Sequence, residues 1–225
     1  MKKRFPIVLA AVIAALGITA AAAYVIQWNS KVAERFEADE QQQSELASAG
    51  AVDPVDQSVT ENGLTVTALQ TLGDKNGVYL LFDVKAPEGI SLWDENLLSA
   101  NVDIEDVGNH VSYTAGFMDD TDGTAQPSGA ANERYYEIWL INGEQKDLNG
   151  KTITVEFANL YGDNGTVKPD IVVAGNWKLS WTLSYSDETQ IFEIDKTYDI
   201  NGHDVVVEAV ELSPLSMKFT LSGDG

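Results

Sequence analysis

The residues best suited to chemistry are acidic. Asp119-Asp120-Thr121-Asp122-Gly123 gathers three carboxylates and a hydroxyl beside a turn glycine, the oxygen-rich composition that hard cations take. Asp103, Glu105 and Asp106 are further oxygen donors in the same half of the chain. The spacing departs from the EF-hand pattern, because Met118 stands where the first ligand belongs and no Glu follows at the twelfth position. Calcium is therefore the one metal that Asp119, Asp120 and Asp122 suggest, against the plainer reading of a solvated acidic loop. A calcium site there predicts that millimolar calcium raises the melting temperature, and that Asp120→Asn with Asp122→Asn abolishes the rise. A thermal scan with and without calcium measures it.

Tyr135 and Trp139 form the second candidate. They alternate with Tyr136 and Ile138, so they share one face of a strand and could stack on a sugar ring or a protein partner. Catalysis finds less support. The only histidines, His110 and His203, sit beside Asn or Gly in turn-like contexts, and neither falls near a G-x-S-x-G nucleophile. Glycosidases use two carboxylates, but 35 acids make chance pairs plentiful and select none. No Gly-rich loop leads into a helix to cradle phosphate. The expectation is a protein that is not an enzyme and holds no cofactor, calcium excepted.

Charge narrows the partners. The chain has 225 residues, with 35 acidic against 14 basic and a net charge of -21. Lys2, Lys3 and Arg4 stand at the start, so the remainder is more acidic still. Such a surface repels nucleic acid and anionic headgroups alike. The absence of cysteine removes disulfides, thiolate metal sites and Cys nucleophiles.

After that basic start, Ile7 to Ile26 runs without a charge, about the length needed to span a bilayer as a helix. Ala20-Ala21-Ala22-Ala23 also offers signal-peptidase sites. The longer apolar run favours an uncleaved membrane anchor over residues 1–28, crossing through 7–26. Either reading sends the rest outside the cytoplasm. Residues 29–54 are polar and read as a juxtamembrane stalk. Val32 and Phe36, four apart, allow a helical start, and the segment should fray as solvated spacer toward Ser48-Ala49-Gly50.

Beyond Pro54 the period changes to two. Trp177, Leu179, Trp181, Leu183 and Tyr185 alternate with Lys178, Ser180, Thr182 and Ser184. Val78, Leu80, Phe82 and Val84 form another row, as do Ile153, Val155 and Phe157. Six Asn-Gly pairs punctuate the segments, a pair that tolerates the positive φ of tight hairpins. The fold class is all-β, an immunoglobulin-like antiparallel β-sandwich over 55–195 preceded by one N-terminal transmembrane helix. Residues 86–109 read as loop mixed with irregular strand. Residues 196–225, with strands at Val205–Leu212 and Met217–Leu221, could complete that sandwich or open a second.

Asp56 to Thr67, Val78 to Asp83 and the strand opening Gly175-Asn176-Trp177 together resemble an uncharacterised extracytoplasmic immunoglobulin-like domain of Gram-positive single-pass membrane proteins. Some members of that family resemble anti-sigma factors. The resemblance covers about 55–221 and implies a transmembrane helix before the domain and often a second immunoglobulin-like domain after it. Six residues precede Ile7, so the resemblance carries the outer domain without a cytoplasmic part to hold a sigma factor. The functional expectation is a cell-membrane protein with its C-terminal domain outside, an interaction or sensing module for a protein or cell-envelope partner. The alternative is a secreted, signal-cleaved module that binds glycan or calcium.

Overall fold

A computed structural model describes residues 28–93, 96–118, 130–143, 146–162, 169–213 and 215–223. Eleven strands among them form three antiparallel sheets. Strands β1 (Val52–Glu61), β2 (Leu64–Asp74), β3 (Gly77–Lys85), β5 (Ser112–Phe117) and β6 (Glu133–Ile141) make a five-stranded sheet in the order β1-β2-β3-β6-β5. Strands β4 (Asn96–Ile104), β7 (Thr152–Gly162) and β8 (Asp170–Thr182) make a three-stranded sheet that packs against it. Strands β9 (Gln190–Ile200), β10 (His203–Leu212) and β11 (Met217–Gly223) form a separate C-terminal meander.

The alternating rows meet in the sandwich core. Val66, Phe82, Tyr136 and Ile138 from the larger sheet face Val155, Phe157, Trp177 and Leu179 from the smaller, all buried. Large aromatic rings there carry polar handles that need partners once buried. Each finds one across the sandwich: Trp177 Nε1 donates to the Leu64 carbonyl at 2.8 Å, and the Tyr136 hydroxyl to the Leu98 carbonyl at 2.9 Å. Trp181 Nε1 donates to Thr71 Oγ1 at 3.2 Å. Burial and hydrogen bonding thus act at the same three rings to fix the two layers together.

Residues 86–109 combine loop with strand β4, which pairs with β7 from Asn96 to Ile104 across a register shift between Leu98 and Ser99. Its alternation is blurred in the sequence because Leu97 points outward, 60% exposed, beside the inward Leu98. Residues 29–54 are not solvated spacer. They form two short helices, α1 (Ser30–Arg35) and α2 (Glu40–Ser48), before leading into β1. Asn29 caps α1 through Lys31 N–H, and Asp39 caps α2 in a reciprocal box with Gln42, which satisfies otherwise orphaned amides. Trp28 and Val32, with Phe36 beyond them, make a stripe along α1 that packs on the outer face of the five-stranded sheet, with Leu46 of α2 in the same cluster. No helix among the described residues is long and apolar enough to cross a membrane. Residues 7–26, the expected span, lie outside the described residues.

Candidate functional site

Tyr135 and Trp139 lie on the outer face of β6, beside Tyr79 and Leu81 of β3. Helix α1 covers this row. The Phe36 ring sits 5.8 Å from that of Trp139 and 5.2 Å, edge-on, from that of Tyr79. Tyr79 in turn meets Trp139 at 5.7 Å. Both Tyr135 and Trp139 are half-buried, and Phe36, at the end of α1, packs on the Trp139 end of that row.

An ion pair closes the cover. Arg35 Nε and Nη2 donate to the two carboxylate oxygens of Glu137 at 2.9 and 3.2 Å, and the Tyr79 hydroxyl donates to Glu137 Oε2 at 2.8 Å. Burial acts to lower the Arg35 pKa, but the hydrogen bonds and charge of Glu137 outweigh it and leave it raised. Burial first, then the Glu137 charge, pushes the Tyr79 phenol far above its ordinary value. The arrangement thus holds a cation, an anion and a neutral phenol at neutral pH, which is a clamp rather than an acid–base pair.

Asp83 lies on the same sheet, opposite Tyr135. Its carboxyl is raised above the ordinary aspartate value, by burial first and then by the Glu133 charge, with Lys85 opposing. A carboxyl whose folded pKa exceeds its unfolded one favours folding most below the unfolded value, and that contribution is lost as pH rises through the folded value. Asp83→Asn should therefore raise the melting temperature at pH 7, with the gain vanishing as pH falls below the ordinary aspartate value of 3.8. Thermal scans of both proteins across that range measure it, and a gain that persists at low pH would assign the effect to something other than charge burial.

The other expected residues are dispersed. His110 closes a 3-10 turn before β5, whereas His203 opens β10 in the third sheet, so the structure does not bring them together. Asp103, Glu105 and Asp106 are exposed around the end of β4. Asp119, Asp120 and Asp122 lie outside the described residues. Among the described residues no group of three or more His, Asp or Glu side chains is arranged to hold a metal.

A surface the sequence reading did not single out lies on the C-terminal meander. The register places Phe192 opposite Val210 and Val210 opposite Phe219, with Tyr198 opposite Val205 and Val207 opposite Leu221. Directly paired residues share a face, so these form one apolar side. Six of its large side chains, Phe192, Tyr198, Ile200, Met217, Phe219 and Leu221, are exposed, from 37% at Met217 to 57% at Leu221. The other side carries Glu193, Thr197, Asp199, Asp204, Glu211 and Lys218. The signal was present in Tyr198, Ile200, Phe219 and Leu221. It was hidden in β9, where Asp195 turns to φ 48° and breaks the two-residue period, as a bulge does.

The meander is fastened to the sandwich at the β2–β3 hairpin. The Ser213 hydroxyl donates to buried Asp74, Asn76 Nδ2 donates to Ser216 Oγ at 3.0 Å, and Lys75 pairs with Glu211 at 2.9 Å. Leu215 packs against the outer cluster that holds Leu72 and Tyr79. The apolar face is therefore presented from a fixed base.

No family model matches the chain, and no curated protein matches it. Among solved structures, it is similar to the crystal structure of the conserved domain protein from Bacillus anthracis, with a TM-score of 0.58 and 13% identity. That match covers 77% of this chain and 55% of the other, so the chain spans about half the length of that structure. At this identity the likeness concerns the fold, an all-β arrangement of antiparallel sheets.

Proposed function

We propose that this chain is a membrane-anchored, extracytoplasmic interaction or sensing module, built on an immunoglobulin-like sandwich and without catalytic activity. The observation that carries this reading is the uncovered apolar side of the β9–β10–β11 sheet. Contiguous exposed apolar patches of a few hundred square ångströms are often functional, and larger ones mark interaction sites. A three-stranded sheet with one apolar side gains stability when another layer covers it.

The address rests on the basic start and on the uncharged run from Ile7 to Ile26. Trp28, buried in the outer cluster, follows that run by two residues. The sandwich is thus held close to the segment that would enter the membrane, not on a loose tether. The partner in this reading is a protein or cell-envelope component met outside the membrane. Kinship with the Gram-positive single-pass family belongs to the same proposal.

Two measurements test the reading. The chain lacks cysteine, so Ser184→Cys, at an exposed position after β8, supplies a unique label. A membrane-impermeant maleimide should modify it in intact cells; labelling only after lysis would overturn the address. A photo-crosslinking amino acid at Phe219 should capture a partner in the native membrane, whereas one at exposed Lys178 on β8 should not. Equal or absent capture at both positions would sink the interaction reading.

A further inference from the structure

We propose that Asp83 and Tyr135, with Thr67 beside them, form a subsite on the outer face of the five-stranded sheet for the guanidinium of an arginine on a protein partner. The site lies on a different sheet from the apolar side of β9–β10–β11. It therefore goes beyond the reading above and is tested apart from it.

The register builds the site. Ser58 pairs with Thr67, Thr67 with Asp83 and Asp83 with Tyr135, across β1, β2, β3 and β6. Directly paired residues share a face. Neighbouring strands lie about 4.8 Å apart, so Thr67 to Tyr135 spans roughly 10 Å. The rows on either side are already compensated. Lys85, paired with Glu133 in the register, gives its ammonium to that carboxylate, and Glu137 holds the Arg35 guanidinium. Between them, Asp83 has no such partner. Among the described residues no hydrogen bond or ion pair ends on the Asp83 carboxylate, and none on the Tyr135 hydroxyl. Both side chains are half-buried. Burial, then the Glu133 charge, raises the Asp83 carboxyl against the opposing influence of Lys85. The fold gains nothing from a half-buried, uncompensated carboxylate, and such local costs are typical of sites kept for binding.

The groups on the row select an organic cation. They offer acceptors: two carboxylate oxygens, the Thr67 hydroxyl shared with Ser58 at 2.8 Å, and the face of a tyrosine ring. Hard metal ions want six to eight oxygens, and no group of three or more acidic or histidine side chains among the described residues supplies them. A guanidinium carries five donors and no acceptor. It bonds a carboxylate through two of them, and it stacks on aromatic rings more readily than an ammonium does. The adjacent row already holds this arrangement within the chain. Arg35 bonds both oxygens of Glu137 at 2.9 and 3.2 Å, and the Tyr79 hydroxyl bonds the same carboxylate at 2.8 Å. The Asp83 row repeats the carboxylate and the tyrosine and lacks the arginine. A net charge of -21 draws such a cation toward the chain.

The test uses the full chain in nanodiscs of zwitterionic lipid. Acetyl-arginine amide, acetyl-lysine amide and acetyl-citrulline amide serve as probes, followed by saturation-transfer NMR. The arginine probe should bind more tightly than the lysine probe, and citrulline, which has the shape without the charge, should fail. Asp83→Asn should weaken the arginine probe by about tenfold or more, as loss of a charge-assisted pair implies. This variant keeps its fold, since the same change is expected to raise the melting temperature. Tyr135→Leu retains an apolar side chain and should weaken binding by about threefold. Asp199→Asn, at an exposed acid on β9, should leave binding unchanged, which separates a site from general attraction to an acidic chain. Equal binding of arginine and citrulline, equal losses in Asp83→Asn and Asp199→Asn, or no binding of arginine overturns the proposal. If arginine binds at Asp83 while crosslinking at Phe219 captures nothing, this site stands and the reading carried by the β9–β10–β11 face falls. Capture at Phe219 with no arginine binding does the reverse.

Discussion

Replacing Trp177 with alanine should destabilise the sandwich by about 3–5 kcal/mol, the range for deleting a buried aromatic ring. The ring is fully buried between the two sheets. Its loss also strips the Leu64 carbonyl of the indole donor that reaches it at 2.8 Å. A buried carbonyl left unpaired costs a further 1–3 kcal/mol or so. Typical domains are stable by only about 5–15 kcal/mol, so much of the population should unfold under mild denaturant. Trp177→Phe separates the two effects, because it keeps most of the apolar volume and loses only the donor. Urea unfolding of the full chain in detergent, followed by circular dichroism, should rank wild type above Trp177→Phe and that above Trp177→Ala. Near-equal midpoints for all three would mean that the ring does not join the sheets. Gly175 adds a constraint at the same spot: a Cβ there would meet the Trp177 ring at 2.6 Å, so the indole can lie where it does only beside a glycine.

Trp177 also shows why part of this fold was legible. From Trp177 to Tyr185 every second residue is large and apolar, and each of those five side chains is buried on the same side of the structure. Asn62-Gly63 and Asn201-Gly202 both adopt paired positive φ and close the β1–β2 and β9–β10 hairpins, as their chemistry requires. Elsewhere the pattern pointed to more than was read from it. Val78-Tyr79-Leu80-Leu81-Phe82 is an unbroken apolar run, and such a run belongs to a strand buried on both faces. Val78, Leu80 and Phe82 enter the sandwich, while Tyr79 and Leu81 enter the outer cluster beneath α1. A third layer was therefore implied wherever the Tyr79 face found its cover, and Trp28, Val32 and Phe36 were the nearest apolar stripe to supply it. What no periodicity could reveal is the partner of the β9–β10–β11 sheet. A sequence states which side of a strand is apolar, but the covering layer is a property of another segment.

Phe36→Asp should release that third layer. The aspartate would have to sit against Tyr79 and Trp139, whose rings now contact Phe36 at 5.2 and 5.8 Å. Losing the half-buried ring and desolvating a charge together should cost about 3 kcal/mol. That exceeds what the neighbouring clamp can hold, because Arg35 is 52% exposed in its pair with Glu137 and exposed pairs contribute at most about 1 kcal/mol. Arg35→Ala alone should accordingly leave the helices docked. The loss at Phe36 should be local, since the sandwich core lies on the opposite face of β3 and keeps its own contacts. Limited proteolysis should then cut within residues 30–50 at least tenfold faster than in the wild type, as a shift of this size implies, and Trp28 and Trp139 emission should move to the red as water reaches them. The melting transition of the sandwich should fall only by a few degrees. If the helices stay protected in Phe36→Asp, the aromatic stripe does not hold them and the outer cluster is an incidental contact. If instead the whole chain unfolds, α1 and α2 are structural to the sandwich itself, and the segment following the apolar run is part of the domain's core rather than a layer laid upon it.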